Sequence, residues 1–408
     1  MLKKTLLLTL AILILGIPRL WAQNTSKLFD AGLEKFKTGY YKDAMVDFTK
    51  VIERNDQYFE AYYLRGRCQY ELGKKQEALA DYNRAIQRKK DYAPALLFRG
   101  KYYVETAELK KAMEDFDAAI KAYPQFFEAY VERAALKEVE LDYQGAVDDY
   151  TKSLQINEKD KMAWHNRGRI HQKMKNYQAN IEDQESALKL DTGIAMAWFY
   201  KGLGLEGAGK LRNAMTDYEK AIGLGVNSEE IYTHAGNLAF ELYRFEKAVE
   251  YYTPLIVKYR TRDPEIHLNR GISYLRLRKY KEAEDDFARC IVYDKKNARA
   301  FLNKGIANFR MGREGSAFRD FNRAIELEPE YYKTYEQRGI IYFEQKRYDL
   351  ALADFDKSIS LRPTGDAHYH RGMIRSERND RDGACQDLLA AKELGHPRAT
   401  LEYPKLCE

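Results

Sequence analysis

The densest cluster of residues that could bind a ligand is the glycine run GLGLEGAGK at 202–210. Its spacing matches GxGxxG and, from Gly204, GxxxxGK, two patterns with which loops cradle phosphate groups. Both patterns need a preceding strand, and the second needs a hydroxyl residue after the lysine. No strand pattern precedes Gly202, and Leu211 stands at the hydroxyl position. We therefore interpret these glycines as structural.

The histidines give no catalytic set. His368 and His370 are two residues apart, so a helix places them on different faces, where they cannot easily share a metal ion. The sequence contains no HExxH, GxSxG or CxxC pattern. No segment outside the repeats described below is long enough for an enzyme domain. We predict a non-catalytic protein with no cofactor and no metal site.

These residues all belong to a unit of 34 residues that recurs eleven times. Tyr62, for example, is followed at this interval by Leu96, Tyr130 and Trp164. A fixed period of this length is the signature of a solenoid of stacked repeats. The repeats begin near residues 25, 59, 93, 127, 161, 195, 229, 264, 298, 332 and 365.

Each repeat, counted from position 1, has the pattern of two helices. Small or apolar residues favour positions 4, 8, 11 and 12, and then 20, 24, 27 and 28. Gly at position 15, as in Gly73, predicts the turn between the helices, and Pro at position 32, as in Pro329, ends the second helix. One helix pair cannot bury its apolar face alone, so neighbours must stack. The predicted fold class is all-α.

The repeat resembles the tetratricopeptide repeat. The ninth repeat, Ala298–Tyr331, carries the family's consensus residues, namely Phe301, Gly305, Gly312, Ala317, Phe321, Ala324 and Pro329. The resemblance covers roughly residues 25–397 and gives a solenoid domain of residues 23–397. It implies an α-solenoid in a right-handed superhelix. It also implies that a protein or peptide partner binds the concave groove formed by the first helices.

By this resemblance, positions 5, 9 and 12 of the first helices line the groove. The N-terminal repeats then present a basic and aromatic zone, made of Tyr63, Arg67, Tyr70, Lys101, His165 and Arg169. The C-terminal repeats present an apolar zone, made of Leu268, Ile272, Leu275, Leu302, Ile306, Phe309, Ile340 and Phe343. Exposed apolar rows usually mark contact sites. Two alternatives remain: the apolar residues pack between first helices, and Arg67 and Lys101 pair with a Glu one turn on.

A charge pattern also recurs. Position 7 is basic in nine repeats: Arg65, Arg99, Arg133, Arg167, Lys201, Arg270, Lys304, Arg338 and Arg371. Position 23 is Asp in ten: Asp47, Asp81, Asp115, Asp149, Asp183, Asp217, Asp286, Asp320, Asp354 and Asp387. Repeat 7 lacks the base, with Ala235, and also the acid, with Tyr251. This joint loss favours an ion pair between the two helices of one repeat over a ladder of charges for a ligand.

Repeats 5 to 7 depart from the pattern. Repeat 5 has Asn180 and Gln184 where Ala and an aromatic residue belong, and repeat 7 has Pro254 inside its second helix. The linker that follows repeat 7 carries one extra residue. A hinge between two stiffer arms and neutral sequence drift both explain these departures.

The first 22 residues resemble a secretory signal peptide. Lys3 and Lys4 precede an apolar run, and Ala22 offers a small residue for cleavage. The run is short for a membrane span, so we expect no stable membrane insertion. The net charge of +6 becomes +3 without residues 1–22, and no basic block remains. A nucleic-acid partner is therefore not expected.

The four cysteines divide into two classes. Cys68 and Cys290 lie six repeats apart, beyond disulfide reach, and are expected to be buried free thiols. The residues after Pro397, 398–408, are long enough to form a capping helix on repeat 11, which brings Cys407 near Cys385. In an oxidising compartment we expect Cys385 and Cys407 to form a disulfide.

The sequence thus predicts a protein-interaction scaffold or adaptor of the bacterial cell envelope, most simply of the periplasm, with secretion as the other destination. A carbohydrate- or small-ligand-binding protein of the cell surface is the alternative. The sequence identifies neither the partner nor the oligomeric state.

Overall fold

The computed structural model describes residues 24–408. The predicted signal peptide, residues 1–22, lies outside this range. Every regular element between residues 24 and 408 is an α-helix, and 23 helices follow one another, 22 of them as antiparallel pairs. The predicted all-α solenoid of helix pairs is confirmed. The chain divides into two compact bodies, an N-terminal body ending at Leu224 and a C-terminal body of Gly225–Glu408.

The N-terminal body contains repeats 1 to 6. Its helices are α1 (24–37), α2 (Tyr41–Arg54), α3 (Phe59–Glu71), α4 (Lys75–Arg88), α5 (Ala93–Glu105), α6 (Leu109–Ala122), α7 (Phe127–Val139), α8 (Tyr143–Ile156), α9 (Lys161–Lys173), α10 (Tyr177–Leu190), α11 (Ala195–Gly207) and α12 (Leu211–Gly223).

The C-terminal body contains repeats 7 to 11 and a last single helix. Its helices are α13 (Glu229–Glu241), α14 (Phe245–Val257), α15 (Pro264–Arg276), α16 (Tyr280–Tyr293), α17 (Ala298–Arg310), α18 (Glu314–Leu327), α19 (Tyr332–Glu344), α20 (Tyr348–Leu361), α21 (Gly365–Glu377), α22 (Arg381–Glu393) and α23 (Pro397–Cys407). In both bodies, each first helix from repeat 2 onward begins at the residue where the sequence starts that repeat.

The two helices of a repeat meet through a small residue at position 8 and a large one at position 24. A Cβ atom at Gly100 would lie 2.5 Å from the Phe116 ring, and one at Gly305 would lie 2.7 Å from the Phe321 ring. Both rings are fully buried. Glycine at position 8 therefore sets the close approach of the helix pair.

The turn between the helices has the same backbone in all eleven repeats. Position 15 has a positive φ, in the left-handed region, both where it is glycine and where it is not, as at Leu141 with φ 64°. Glycine adopts this conformation without strain, whereas other residues do so at a cost of about 1 kcal/mol. The turn geometry therefore comes from the packing of the pair, and the glycine makes it easier to reach.

The predicted ion pair between positions 7 and 23 is present. All seven arginines at position 7 donate two hydrogen bonds to the Asp of their own repeat, at 2.6–2.9 Å. Lys201 and Lys304 make the equivalent pairs with Asp217 and Asp320 at 3.2 and 3.1 Å. We call this series the ion-pair ladder.

Each of these arginines also contacts the preceding repeat. Its Nη1 donates to the side chain at position 25 there, for example from Arg99 to Asn83 at 2.8 Å and from Arg338 to Asn322 at 2.7 Å. The other five arginines contact Thr49, Asp117, Thr151, Thr253 and Asp356 in the same way. The ladder therefore links neighbouring repeats as well as the helices of one repeat.

The exceptions to the ladder have local explanations. Asp47 of repeat 1, which has no base at position 7, accepts from Lys35 one turn further along α1, at 2.5 Å. In repeat 7 the place of the acid is taken by Tyr251, which is buried. A buried carboxylate is thus paired wherever the ladder has one.

The irregular residues of repeat 5 form a buried polar cluster. Gln184 bonds the ring and carbonyl group of His165, and Asn180 donates to the Gly168 carbonyl oxygen at 2.8 Å. A Cβ atom at Gly204 would lie 2.2 Å from the Asn180 amide oxygen. Two of the glycines in the phosphate-loop-like run therefore serve helix packing, since Gly202 fits against Tyr218 in the same way.

The last helix, α23, covers the end of the stack. Ala399 is fully buried, and Tyr403 and Leu406 pack against Tyr369 and Leu388 of repeat 11. Cys385 and Cys407 are paired, with Cα atoms 5.6 Å apart, while Cys68 and Cys290 are buried and unpaired. Burial raises the pKa of both unpaired thiols to about 12, which keeps them protonated and unreactive.

Removal of one ladder arginine should strongly destabilise the chain. We expect Arg338→Ala to lower the free energy of unfolding by about 3 kcal/mol, since it leaves the buried Asp354 carboxylate unpaired. Arg338→Lys should cost about 1 kcal/mol, because the amine keeps the charge and loses the bond to Asn322. Urea unfolding measures both. Arg323→Ala, which breaks an exposed pair with Glu326, is the control, and an equal loss there would contradict the prediction.

The chain should contain one disulfide when it folds in an oxidising compartment. Thiol labelling of the denatured, unreduced chain is expected to modify two residues, Cys68 and Cys290, because Cys385 and Cys407 are joined. Labelling after reduction should modify all four. Four reactive thiols before reduction would show that the pair remains reduced.

Candidate functional site

A cleft of about 1020 Å³ lies in the C-terminal body, along the first helices of repeats 8 to 11. Its walls come from α15, α17 and α19 and from the first residues of α21. The lining positions are mainly 2, 6, 9 and 13 of the first helices, as in Arg299, Asn303, Ile306 and Arg310 of α17. This spacing defines one face of a helix. The cleft is the candidate functional site.

The floor of the cleft is apolar. Ile272, Leu275 and Ile306 line it and are half-buried. Leu302 also lines it but is only 4% exposed. Four of the eight residues predicted for the apolar zone therefore face this cleft. Half-buried apolar side chains that meet in a concave surface offer contact area to a ligand.

The assignment of position 5 to the groove was wrong for five of the eleven repeats. Leu268 is fully buried within the core cluster of α15 and α16, and His165 is 6% exposed. Leu97, Phe199 and Tyr369, at the same position, are buried as well. Position 5 therefore packs inside the stack in these five repeats, whereas Leu302 and Glu336 at the same position line the cleft.

Three further residues of the predicted apolar zone lie outside the lining of the cleft. Phe309 packs on the core cluster of repeat 9, beneath the Arg310 guanidinium. Ile340 and Phe343 pack on the core cluster around α20 and α21. The alternative interpretation, packing between first helices, describes these three only in part, because their clusters also contain residues of the second helices α18 and α20.

The rim of the cleft is mainly cationic. Four arginines and Lys333 line it, against two acids, Glu336 and Asp366. Arg310 pairs with Glu344 at 3.0 Å and Arg299 with Glu265 at 3.5 Å, but all four of these side chains are well exposed. Such exposed pairs are weak and exchange readily. The other two arginines, Arg276 and Arg278, have no ion pair within residues 24–408.

Glu336 is a buried acid in the cleft wall. It stands at position 5, is 6% exposed and accepts a hydrogen bond from the Thr364 hydroxyl. Burial raises the pKa of Glu336 above its ordinary value, and the nearby Asp366 charge adds to this, while the Thr364 bond opposes it. Our sequence analysis missed this residue. Glu336 is the single acid among the eleven residues at position 5, and this was the signal that could have identified it.

The basic and aromatic zone of the N-terminal body is internally paired. The Arg67 guanidinium lies 3.7 Å from the centre of the Phe98 ring and donates to the Tyr63 hydroxyl at 3.2 Å. Its ion pair with Glu71, at 3.8 Å, is the predicted contact one turn on.

The remaining cations of this zone pair between repeats. Lys101 binds Glu132 at 2.6 Å rather than Glu105, which accepts from Tyr70 and Lys75. Arg169 likewise binds Glu138 at 2.7 Å. A ligand here would have to displace these pairs.

No metal-binding or membrane-spanning element is apparent in residues 24–408. That range contains no group of three or more potential metal ligands and no helix of the length and apolarity that a membrane crossing needs. His368 instead bonds Asp387 at 2.9 Å, and the His370 ring bonds the Asp366 carbonyl group at 2.8 Å.

Comparisons with known proteins identify the repeat. Sequence profiles of the tetratricopeptide repeat match residues 29–94, 93–126, 163–193, 233–291, 268–332 and 332–364. Together these matches cover more than half of the chain. No curated protein matches it.

Solved structures with the same repeat are similar at low sequence identity. A tetratricopeptide repeat protein from Parabacteroides merdae is 24% identical, with a TM-score of 0.47 over 60% of this chain and 98% of that one. YrrB, a repeat protein with an unusual peptide-binding site, is 20% identical, with a TM-score of 0.43 over 46% and 97%. The Cut9–Hcn1 hetero-tetramer is 14% identical, with a TM-score of 0.43 over 95% and 91%. These likenesses concern the fold.

Replacement of the buried acid should change how stability depends on pH. Because the folded pKa of Glu336 is raised above its ordinary value of 4.5, the folded state holds this proton more tightly than the unfolded state. The parent chain therefore loses stability as the pH rises from about 4.5 through the folded pKa. We expect Glu336→Gln, which can still accept from Thr364, to be more stable than the parent at pH 7.

The same variant should show no such advantage at pH 4. Urea unfolding at the two pH values measures the difference, and Glu344→Gln, at an exposed acid, is the control. An advantage of equal size at pH 4 would contradict the assigned cause.

Proposed function

We propose that this chain, which belongs to the tetratricopeptide repeat family, is a non-catalytic scaffold that binds a segment of another protein in the cleft of repeats 8 to 11. The observation that carries the proposal is the apolar floor of Ile272, Leu275 and Ile306 beneath a cationic rim. Apolar contacts supply affinity, and charges around them select the partner.

The charges indicate the chemistry of the partner. The rim has five cations and two acids, and one of those acids, Glu336, has a raised pKa. Arg276 and Arg278 have no acid of their own in the described part of the chain. We therefore expect a peptide segment with one or two large apolar residues flanked by Asp or Glu.

The cell envelope is the proposed location. The leader-like residues 1–22 support export, and the Cys385–Cys407 pair fits an oxidising compartment, where such pairs persist. The periplasm is our preferred destination, with secretion as the alternative.

A carbohydrate- or small-ligand-binding role is the second candidate. Tyr280, Tyr331 and Tyr332 line the cleft, and aromatic rings can stack on sugars. Removal of the apolar floor should weaken the binding of a peptide more than the binding of a sugar that stacks on these tyrosines.

The test starts from a random peptide library displayed against the mature chain. Enriched peptides should carry an apolar residue beside acids, and their affinity, measured by fluorescence polarisation, should fall with salt. We expect Ile272→Ser with Ile306→Ser to weaken binding at least about tenfold, since each isoleucine contributes about 1.5 kcal/mol or more when a ligand buries it.

Ile340→Ser is the matched control, because Ile340 occupies position 9 of the next repeat and lies outside the cleft lining. It should leave the affinity unchanged, as should Arg67→Ala with Lys101→Ala in the N-terminal body. Helical content checks that each variant folds. If all variants bind the peptides with equal affinity, the assignment to this cleft is overturned. If Tyr331→Ala lowers the affinity for oligosaccharides and not for peptides, the second candidate is favoured.

A further inference from the structure

A second cleft, of about 560 Å³, lies in the C-terminal body where repeat 7 passes into repeat 8. Its lining combines the end of α14, the linker before α15, the start of α15 and one face of α16. It shares no lining residue with the larger cleft. Its volume lies in the range of small-molecule sites.

Local departures from the repeat shape this cleft. The linker after repeat 7 has one extra residue, and its Arg260 has a positive φ of 55°. Position 4 of repeat 8 is His267, where five other repeats place a large aromatic ring against the position 7 cation. The smaller imidazole contributes to the open space.

His267 is buried in the wall of the cleft without a hydrogen-bond partner. It is 3% exposed, and neither ring nitrogen forms a hydrogen bond within the described chain. Its Nδ1 lies 3.5 Å from an Asp286 oxygen, which instead accepts from Arg270. In repeat 11, His368 at the same position does bond its Asp, at 2.9 Å. A buried imidazole without a hydrogen-bond partner destabilises the fold. The binding of a ligand that forms a hydrogen bond with it is therefore favourable.

The charges around the cleft leave two cations unpaired. Asp285 pairs with Lys281 at 2.6 Å, which also binds Glu284 at 2.9 Å, and Asp286 pairs with Arg270 at 2.8 Å. The lining itself has three arginines against these two aspartates. Arg260 and Arg289 line the cleft, are exposed and have no ion pair within residues 24–408. The unbalanced charge of the site is therefore positive.

We propose that this cleft binds a small organic phosphate monoester. The His267 N–H donates to a phosphate oxygen, and Arg260 and Arg289 balance a group that carries nearly two negative charges at neutral pH. Ile256 and the Tyr293 ring, which lies 5.4 Å from the His267 ring, contact the organic part. Two unpaired arginines match a dianion better than a singly charged carboxylate.

Titration calorimetry of the mature chain with phenyl phosphate tests the proposal, with benzoate as a singly charged ligand that has the same ring. We expect phenyl phosphate to bind with a dissociation constant below about 1 mM and benzoate to bind at least about tenfold more weakly. Arg260→Gln with Arg289→Gln should weaken phenyl phosphate at least about tenfold. His267→Phe should remove binding and leave the helical content unchanged.

Arg262→Gln with Lys295→Gln is the matched control, since it removes two exposed charges outside the cleft lining. Its affinity should equal that of the parent. Three results would each overturn the proposal: no binding of phenyl phosphate, equal losses in the two double variants, or benzoate that binds as tightly as phenyl phosphate. The double arginine variant changes only exposed residues, so its result does not depend on whether His267→Phe folds.

Discussion

A buried carboxylate at position 23 is the constraint on which ten of the eleven repeats depend. Asp inside a helix stack is strongly unfavourable unless a cation meets it. A cation must therefore reach it, from position 7 in nine repeats and from Lys35 at position 11 in repeat 1. Arg at position 7 suits this role best, because its guanidinium binds both carboxylate oxygens and has one nitrogen left for another partner. That nitrogen reaches position 25 of the preceding repeat. One side chain thus joins two helices and two repeats.

The same pair is not equally favourable everywhere. Burial raises the pKa of Asp354, and its single partner Arg338 only partly opposes this. Burial also raises the pKa of Asp387, but His368, Arg371 and Arg375 together bring it below the ordinary value of 3.8. Asp387 therefore adds stability above pH 3.8 that is lost as the pH falls through its folded pKa, whereas Asp354 adds none at neutral pH. What the pairs share is geometric: each one joins the two helices of its own repeat.

The features that recur in every repeat could be predicted from the sequence. The period located the helices, and the joint loss of base and acid at Ala235 and Tyr251 indicated the ladder. The sequence could not show that Lys35 replaces the missing base of repeat 1, since α1 also carries Lys27 and Lys37. It also misplaced position 5, because Leu268 and Ile272 look alike in sequence while only the packing of neighbouring first helices decides which is covered. The groove face at positions 2, 6, 9 and 13 mixes charges with apolar residues and so gave no apolar pattern.

Both clefts lie where the length of a repeat changes. The smaller one borders the extra residue before Pro264, and the larger one ends at Thr364, Gly365 and Asp366, where repeat 10 is one residue short. In a perfectly periodic stack every repeat presents the same surface, so no repeat would bind a different ligand from its neighbours. The linker residues Arg260 and Thr261 enter the lining of the smaller cleft, and Thr364 enters that of the larger one. The ladder makes this possible, because Arg270 and Arg371 re-form their pairs directly after each change of length and return the chain to register.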